Sequence, residues 1–201
     1  GSIGVVLAGM VRVSTAAETP PPDAAQRDYL SANGLLNRGM NELAVAEYRK
    51  FLGGHGSHEK APTARYGLCV ALFRLGQFDE ALTELKALPS VDDFAFGADA
   101  GVLAGQCHLA KERYAAAAQA FGAMLARYAD HALADDAAAG ATEALYLAGE
   151  NDKAAVQAKD FTRRFAESPL RERVLYFWGL AESQRGDAAA AAERFDELLR
   201  L

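Results

Sequence analysis

The sequence predicts an all-α protein, built as a solenoid of about five antiparallel helix pairs. Two observations carry this reading. The first is a set of three slots that recur in phase. A helix-ending slot holds Gly39, Gly76, Glu112, Gly149 and Gly186, spaced 37, 36, 37 and 37 residues apart. A second slot holds Ala44, Ala81, Ala117, Ala154 and Ala191 at the same spacings. A third, seven residues before the first, holds only small residues: Ala32, Cys69, Gly105, Thr142 and Gly179. Alanine is common in this chain, so one matched slot carries little weight. Three slots in phase through five repeats are the mark of a solenoid. The second observation is composition. Alanine, the best helix former, comes in runs such as Ala115 to Ala118 and Ala188 to Ala192. β-Branched residues are sparse after Val13, and the six prolines lie mostly at the edges of helical stretches.

Each element follows from local chemistry. Asp23 is a capping residue and opens a helix over 24–38, and the second helix spans 41–53. Gly53-Gly54-His55-Gly56-Ser57 reads as a loop. The pattern then predicts helices at 59–75 and 78–88, 95–110 and 114–128, 132–148 and 151–166, and 169–185 and 188–200. Glycine suits the turn inside each pair because it takes positive φ at a helix C-terminus without steric cost. Four residues after each slot alanine comes the next inward position: Tyr48, Leu85, Phe121, Ala158 and Phe195. That i, i+4 spacing puts both on one helix face. Ser168-Pro169 reads as an N-cap followed by a proline in the first helical position, and Asp187 as the cap of the last helix.

A chain of 201 residues buries a large core. Its formal net charge of −6 and its lack of any run of four basic residues argue against nucleic acid and against a polybasic membrane anchor. Residues 1–22 stand apart from the repeats. Gly1-Ser2 resembles a cloning scar. Ile3 to Val13 is apolar apart from Arg12 and too short to span a bilayer. With the small residues Ser14 to Ala17 it reads either as the back half of a secretory signal whose charged start is missing, or as a plain leader. Met10 stands where a lipidated cysteine would be needed. Glu18 to Pro22 is a proline-rich linker. The repeats divide as about 23–57, 58–93, 94–130, 131–167 and 168–201. Leu201 follows a second-type helix with no polar capping helix behind it. The array is therefore expected to continue in a longer parent, or to self-associate through this end.

The recurring residues resemble the tetratricopeptide repeat. The resemblance rests on Tyr66-Gly67-Leu68 with Gly76-Gln77-Phe78-Asp79-Glu80-Ala81, on Gly105, Tyr114, Ala117 and Phe121, and on Trp178-Gly179 with Gly186-Asp187, Ala191 and Phe195. It covers about residues 23–201 and implies a right-handed superhelical solenoid. There are departures. The period exceeds the usual ~34 residues, Glu112 replaces a turn glycine, and the fourth repeat has Thr142 and Ala158 in its small and aromatic slots. The long period resembles bacterial cell-envelope members, which implies a periplasmic or other extracytoplasmic setting, with the cytoplasm as the alternative.

The resemblance also implies a concave face lined by the first helix of each pair. In register, that face presents Tyr29, Asn33, Leu36, Tyr66, Val70, Phe73, Arg74, Gln106, Leu109, Glu143, Tyr146, Tyr176 and Leu180. Five are aromatic, and aromatic anchors suit recognition of a peptide or protein segment. Asn33 and Arg74 are the polar groups placed to hold a ligand backbone or carboxylate. Tyr29 and Tyr66 stand where the family's carboxylate-binding members place lysine, so that activity does not carry over. The expected function is a non-enzymatic interaction scaffold. The alternative is a structural, self-associating module of a larger repeat protein. No cofactor or metal is expected. His55 and His58 lie in a glycine-rich loop without further ligands nearby. His108 and His131 read as packing or surface residues. Cys69 and Cys107 read as small buried apolar residues, the alternative being a pair of thiols that approach each other across adjacent helices. The carboxylate pairs Asp92-Asp93, Asp135-Asp136 and Glu150 with Asp152 sit near helix starts, where negative charge favours the helix dipole.

Overall fold

A computed structural model describes residues 23–88 and 94–201. The leader, the proline-rich linker and the Asp92-Asp93 pair lie outside the described residues. The described residues form ten α-helices: α1 (Ala24–Asn37), α2 (Asn41–His55), α3 (Ala61–Arg74), α4 (Phe78–Lys86), α5 (Gly97–Ala110), α6 (Tyr114–Arg127), α7 (Ala134–Leu147), α8 (Asn151–Arg164), α9 (Arg171–Gln184) and α10 (Ala188–Leu198). Among them there is no strand. Each helix packs on its neighbours in sequence. The first helices of successive repeats also touch one another, α1 on α3, α3 on α5, α5 on α7 and α7 on α9, whereas successive second helices do not. The first helices therefore line the inner side of the stack and the second helices its outer side.

The turn inside each pair has one geometry, repeated five times. The residue after the slot donates its N–H to the carbonyl five back: Met40 to Leu35, Gln77 to Leu72, Arg113 to His108, Glu150 to Leu145 and Asp187 to Glu182, at 2.9–3.0 Å. This pairing satisfies carbonyls that a helix end otherwise leaves open, and it needs a left-handed residue at the slot. Gly39, Gly76, Gly149 and Gly186 supply it with φ of 73–83°. Glu112 adopts the same turn at φ 56°, as the non-glycine residue among the described ones with positive φ.

The small slot has an equally direct cause. Ala32, Cys69, Thr142, Gly105 and Gly179 are all buried. A Cβ on Gly105 would lie 2.5 Å from the ring of Phe121, and one on Gly179 would lie 2.6 Å from the ring of Phe195. A further glycine, Gly140 in the next first helix, also lies close against the Phe121 ring, and Gly67 accommodates Tyr48 of the preceding repeat in the same way. Aromatic rings from the second helices thus fill notches in the first. The core runs as three clusters along the stack: α1–α4 with Leu103 and Cys107, then α5–α7, then α7–α9.

Three local expectations need correction. Ser168 does not cap α9, which begins at Arg171 after Leu170. Its hydroxyl instead donates to Asp135 Oδ2 at 2.7 Å and accepts from the Leu170 N–H, which ties the turn before α9 to the start of α7. Gly53, Gly54 and His55 are not loop but the last turn of α2. His55 and His58 are also not simply solvated, because both rings pack on Phe51, at 5.5 and 5.8 Å. The side-chain caps at Asp23 and Asp187 form as expected, accepting from Gln26 N and Ala190 N.

Candidate protein-binding groove

The residues expected on the concave face fall into three groups. In the first repeat, Tyr29 packs at 5.9 Å on the ring of Phe51. The side-chain oxygen of Asn33 accepts a hydrogen bond from the hydroxyl of fully buried Tyr48. Burial, and then the neighbouring Tyr29, hold the Tyr48 phenol above the usual tyrosine range. Leu36 packs on the first core cluster, and its carbonyl accepts from Arg74 at 3.0 Å. Arg74 thus reaches back one repeat to the end of α1, where the same carbonyl also accepts the Gly39 N–H.

The second group forms a continuous groove of about 270 Å³ between α3 and α5. Tyr66, Val70, Phe73 and Arg74 line it from α3, and Gln106 lines it from α5. The sequence reading missed Asp99, Val102, Leu103 and Leu133, which complete it. Two of these had a legible signal. Val102 is the register counterpart of Tyr66, and Asp99 lies seven residues before Gln106 on the same helix face. Tyr66 stacks flat on Phe96, with ring centres 5.0 Å apart and planes 12° apart. Burial, with Asp99 adding to it, pushes the Tyr66 phenol up to about 12. Phe73 packs edge-on against Phe78 at 5.5 Å. Asp99 makes no ion pair among the described residues. The groove therefore joins an apolar floor to an amide, a guanidinium and an unpaired carboxylate.

The third group lies on α7 and α9. Tyr146 and Tyr176 both pack on Phe177, at 5.7 and 5.3 Å, and Glu143 pairs with Arg173. Leu109 packs on the second core cluster, and Leu180 is half-buried.

The other titratable groups serve the fold. Cys69 and Cys107 are free thiols, both fully buried in the first core cluster. Burial pushes their pKa values up to about 12 and about 11. Burial, and then the charge of Asp135, raise Asp136 above the usual carboxylate range. Asp135 accepts from the Asp136 N–H at the start of α7. Glu150 pairs with Lys153, and Asp152 with Arg185. Burial lowers the pKa of His108. His131 Nδ1 accepts from the Leu133 N–H. Among the described residues no cluster of histidine, cysteine and carboxylate side chains fits a metal ion, and no helix is long and apolar enough to cross a membrane.

Among known proteins, a family model described as "YfiO: Outer membrane lipoprotein" matches residues 103–200. No curated protein gives a significant match. Solved structures align over nearly the whole chain. MamA (residues 41 to the end) from Desulfovibrio magneticus RS-1 superposes with a TM-score of 0.74 at 19% identity, covering 90% of this chain and 96% of that one. YrrB, a TPR protein with an unusual peptide-binding site, gives 0.72 at 18% identity, covering 88% and 85%. The kinesin light chain TPR-like repeats from Podosopora anserina give 0.69 at 15% identity, covering 90% and 96%. With ten helices among its described residues, repeated turn geometry and ring-in-notch packing, the chain is a protein of the tetratricopeptide-repeat fold.

Proposed function

We propose that this chain is a non-enzymatic scaffold that holds a peptide or protein segment on its inner face, centred on the groove between α3 and α5. The carrying observation is the composition of that groove. Val70, Phe73, Val102, Leu103 and Leu133 form an apolar floor, while Arg74, Asp99 and Gln106 offer polar groups at its margin. A floor of this kind takes an apolar side chain, and the margin takes the backbone and charges of an extended segment. Tyr66 and Phe73 are held by Phe96 and Phe78, so little side-chain entropy is lost on binding. Tyr29, Asn33 and Leu36 on one side, and Glu143, Tyr146 and Tyr176 on the other, extend the same face in register. The peptide-binding site named for YrrB supports the reading by analogy of fold, and the outer-membrane lipoprotein family model supports a bacterial envelope setting.

The test is affinity capture from an envelope extract with the wild-type chain and a Tyr66→Ala/Phe73→Ala variant of matched helical content. Recovery of a specific protein should fall about tenfold with the variant. Equal recovery by both chains would overturn the assignment. The alternative, a self-associating module, predicts a different result: sedimentation would show concentration-dependent assembly of the chain alone, sensitive to Phe195→Asp and indifferent to the groove.

A further inference from the structure

The outer face carries two residues that its own repeat register does not call for. Two positions after each buried slot alanine, the second helices expose Ala46, Thr83, Gln119, Val156 and Glu193. Val156 is the large apolar member of this row, and it is 71% exposed. Immediately before each small crossing residue stand Ser31, Leu68, Ala104, Ala141 and Trp178. Trp178 is the only tryptophan in the chain. Alanine stands at Ala46 in the first row and at Ala104 and Ala141 in the second, so the repeat does not demand a bulky residue at either position in every copy.

The structure brings the two together. One groove of about 470 Å³ is lined by Ala155, Val156, Lys159 and Trp178, with Arg185 and Arg194 at its rim. A second groove of about 560 Å³ shares Val156, Lys159 and Trp178 and continues over Thr162 and Arg163. Trp178 packs inward on the third core cluster, donates its indole N–H to Glu182 at 2.9 Å, and carries the Arg194 guanidinium over its ring at 4.4 Å. The ring is therefore fixed before any partner arrives. The nearby carboxylates are already engaged. Asp152 and Glu182 pair with Arg185, and Asp160 pairs with Arg163 and Arg164. Lys159, one turn from Val156 on α8, makes no ion pair among the described residues. An apolar patch bounded by an unanswered cation is what remains exposed.

We propose that this outer groove is a second binding site, which takes a protein segment carrying an apolar side chain beside a carboxylate. The apolar group rests on Val156 and the edge of Trp178, and the carboxylate pairs with Lys159. The site lies on the opposite side of the stack from the α3–α5 groove, so both can be occupied at once.

Trp178 supplies its own readout, since no other tryptophan contributes to the emission. A random-peptide display library is selected on the wild-type chain, with a Val156→Asp/Lys159→Glu variant as the counter-target. Both substitutions are at exposed positions and should leave the circular dichroism unchanged. Enriched peptides should pair Leu, Ile or Phe with Asp or Glu. Synthetic copies without tryptophan should shift Trp178 emission saturably, with Kd about tenfold weaker on the double variant and unchanged on Phe73→Ala. Loss with Phe73→Ala alone would place the peptide in the inner groove and overturn this proposal while supporting the other. A basic consensus, equal binding to the counter-target, or no enrichment would also overturn it. So would concentration-dependent self-assembly of the wild type that the double variant abolishes, because the occupant would then be a second copy.

Discussion

Replacing Gly105 with alanine tests the ring-in-notch packing directly, because two effects oppose each other there. Helix propensity alone favours Gly105→Ala by about 1 kcal/mol, since Gly105 lies inside α5. Packing opposes it. The new Cβ would stand 2.5–2.6 Å from three atoms of the Phe121 ring. The ring has little room to step aside, because Gly140 of α7 also lies close against it and Phe121 is only 2% exposed. Overpacking of this kind costs about 1–3 kcal/mol, and a pinned ring puts the cost toward the upper end. The net expectation is a loss of about 1–2 kcal/mol. Phe121→Leu alone is also destabilising, but it frees the space that the alanine needs. The double variant should therefore lose less than the sum of the single variants, with a coupling of about 1–2 kcal/mol. Urea unfolding followed by circular dichroism measures this, provided the m-value stays constant across the series. If Gly105→Ala is as stable as wild type, or the two changes are additive, the notch is not what selects glycine here.

Three further outcomes are expected. Glu112→Gly should stabilise the chain by about 0.5–1 kcal/mol, because it removes left-handed strain while the equivalent glycines show nothing within 4 Å of an added Cβ; a lower urea midpoint would refute this. Cys69 and Cys107 should resist a thiol reagent near pH ~8 in the folded chain and react promptly in denaturant, since burial holds both thiols protonated well above that pH; fast labelling of the native state would contradict their burial. Asp79 bonds to Lys111 at 3.1 Å and Arg113 at 2.7 Å, which lowers its pKa and links α4 to the turn before α6. A depressed folded pKa contributes stability above the unfolded value of about 3.9 and loses it as pH falls through the folded value. Asp79→Asn should therefore flatten the acid limb of a stability–pH curve, and an unchanged limb would show that the bridge contributes nothing.

Much of what lies close along the chain was legible in the sequence, although Gly53, Gly54 and His55 continue α2 where glycines suggested a loop. The turn glycines, the buried alanines and the small crossing residues are set by helix ends and by contacts between adjacent helices, so a fixed spacing exposes them. Even the departure at Glu112 was visible, because the same turn must form whichever residue occupies the slot. Ser168 was misjudged because a serine before a proline satisfies a local rule for helix starts. In the folded chain its hydroxyl instead meets Asp135, 33 residues earlier.

The inner groove was legible in part. Tyr66, Val70, Phe73, Arg74 and Gln106 line it together, whereas Val102, the register counterpart of Tyr66, was not among the expected residues. The sequence by itself determined the repeat, its period and the face on which each position lies, because these follow from helix geometry and nearest-neighbour packing. Tertiary structure alone decided which faces meet and what each polar group does on arrival. Asn33 is bonded to Tyr48, Arg74 reaches the carbonyl of Leu36, and Asp99 stays unpaired beside Tyr66. Those outcomes depend on how one repeat is rotated on the next. That rotation arises from the summed packing of many side chains and is written in no single residue.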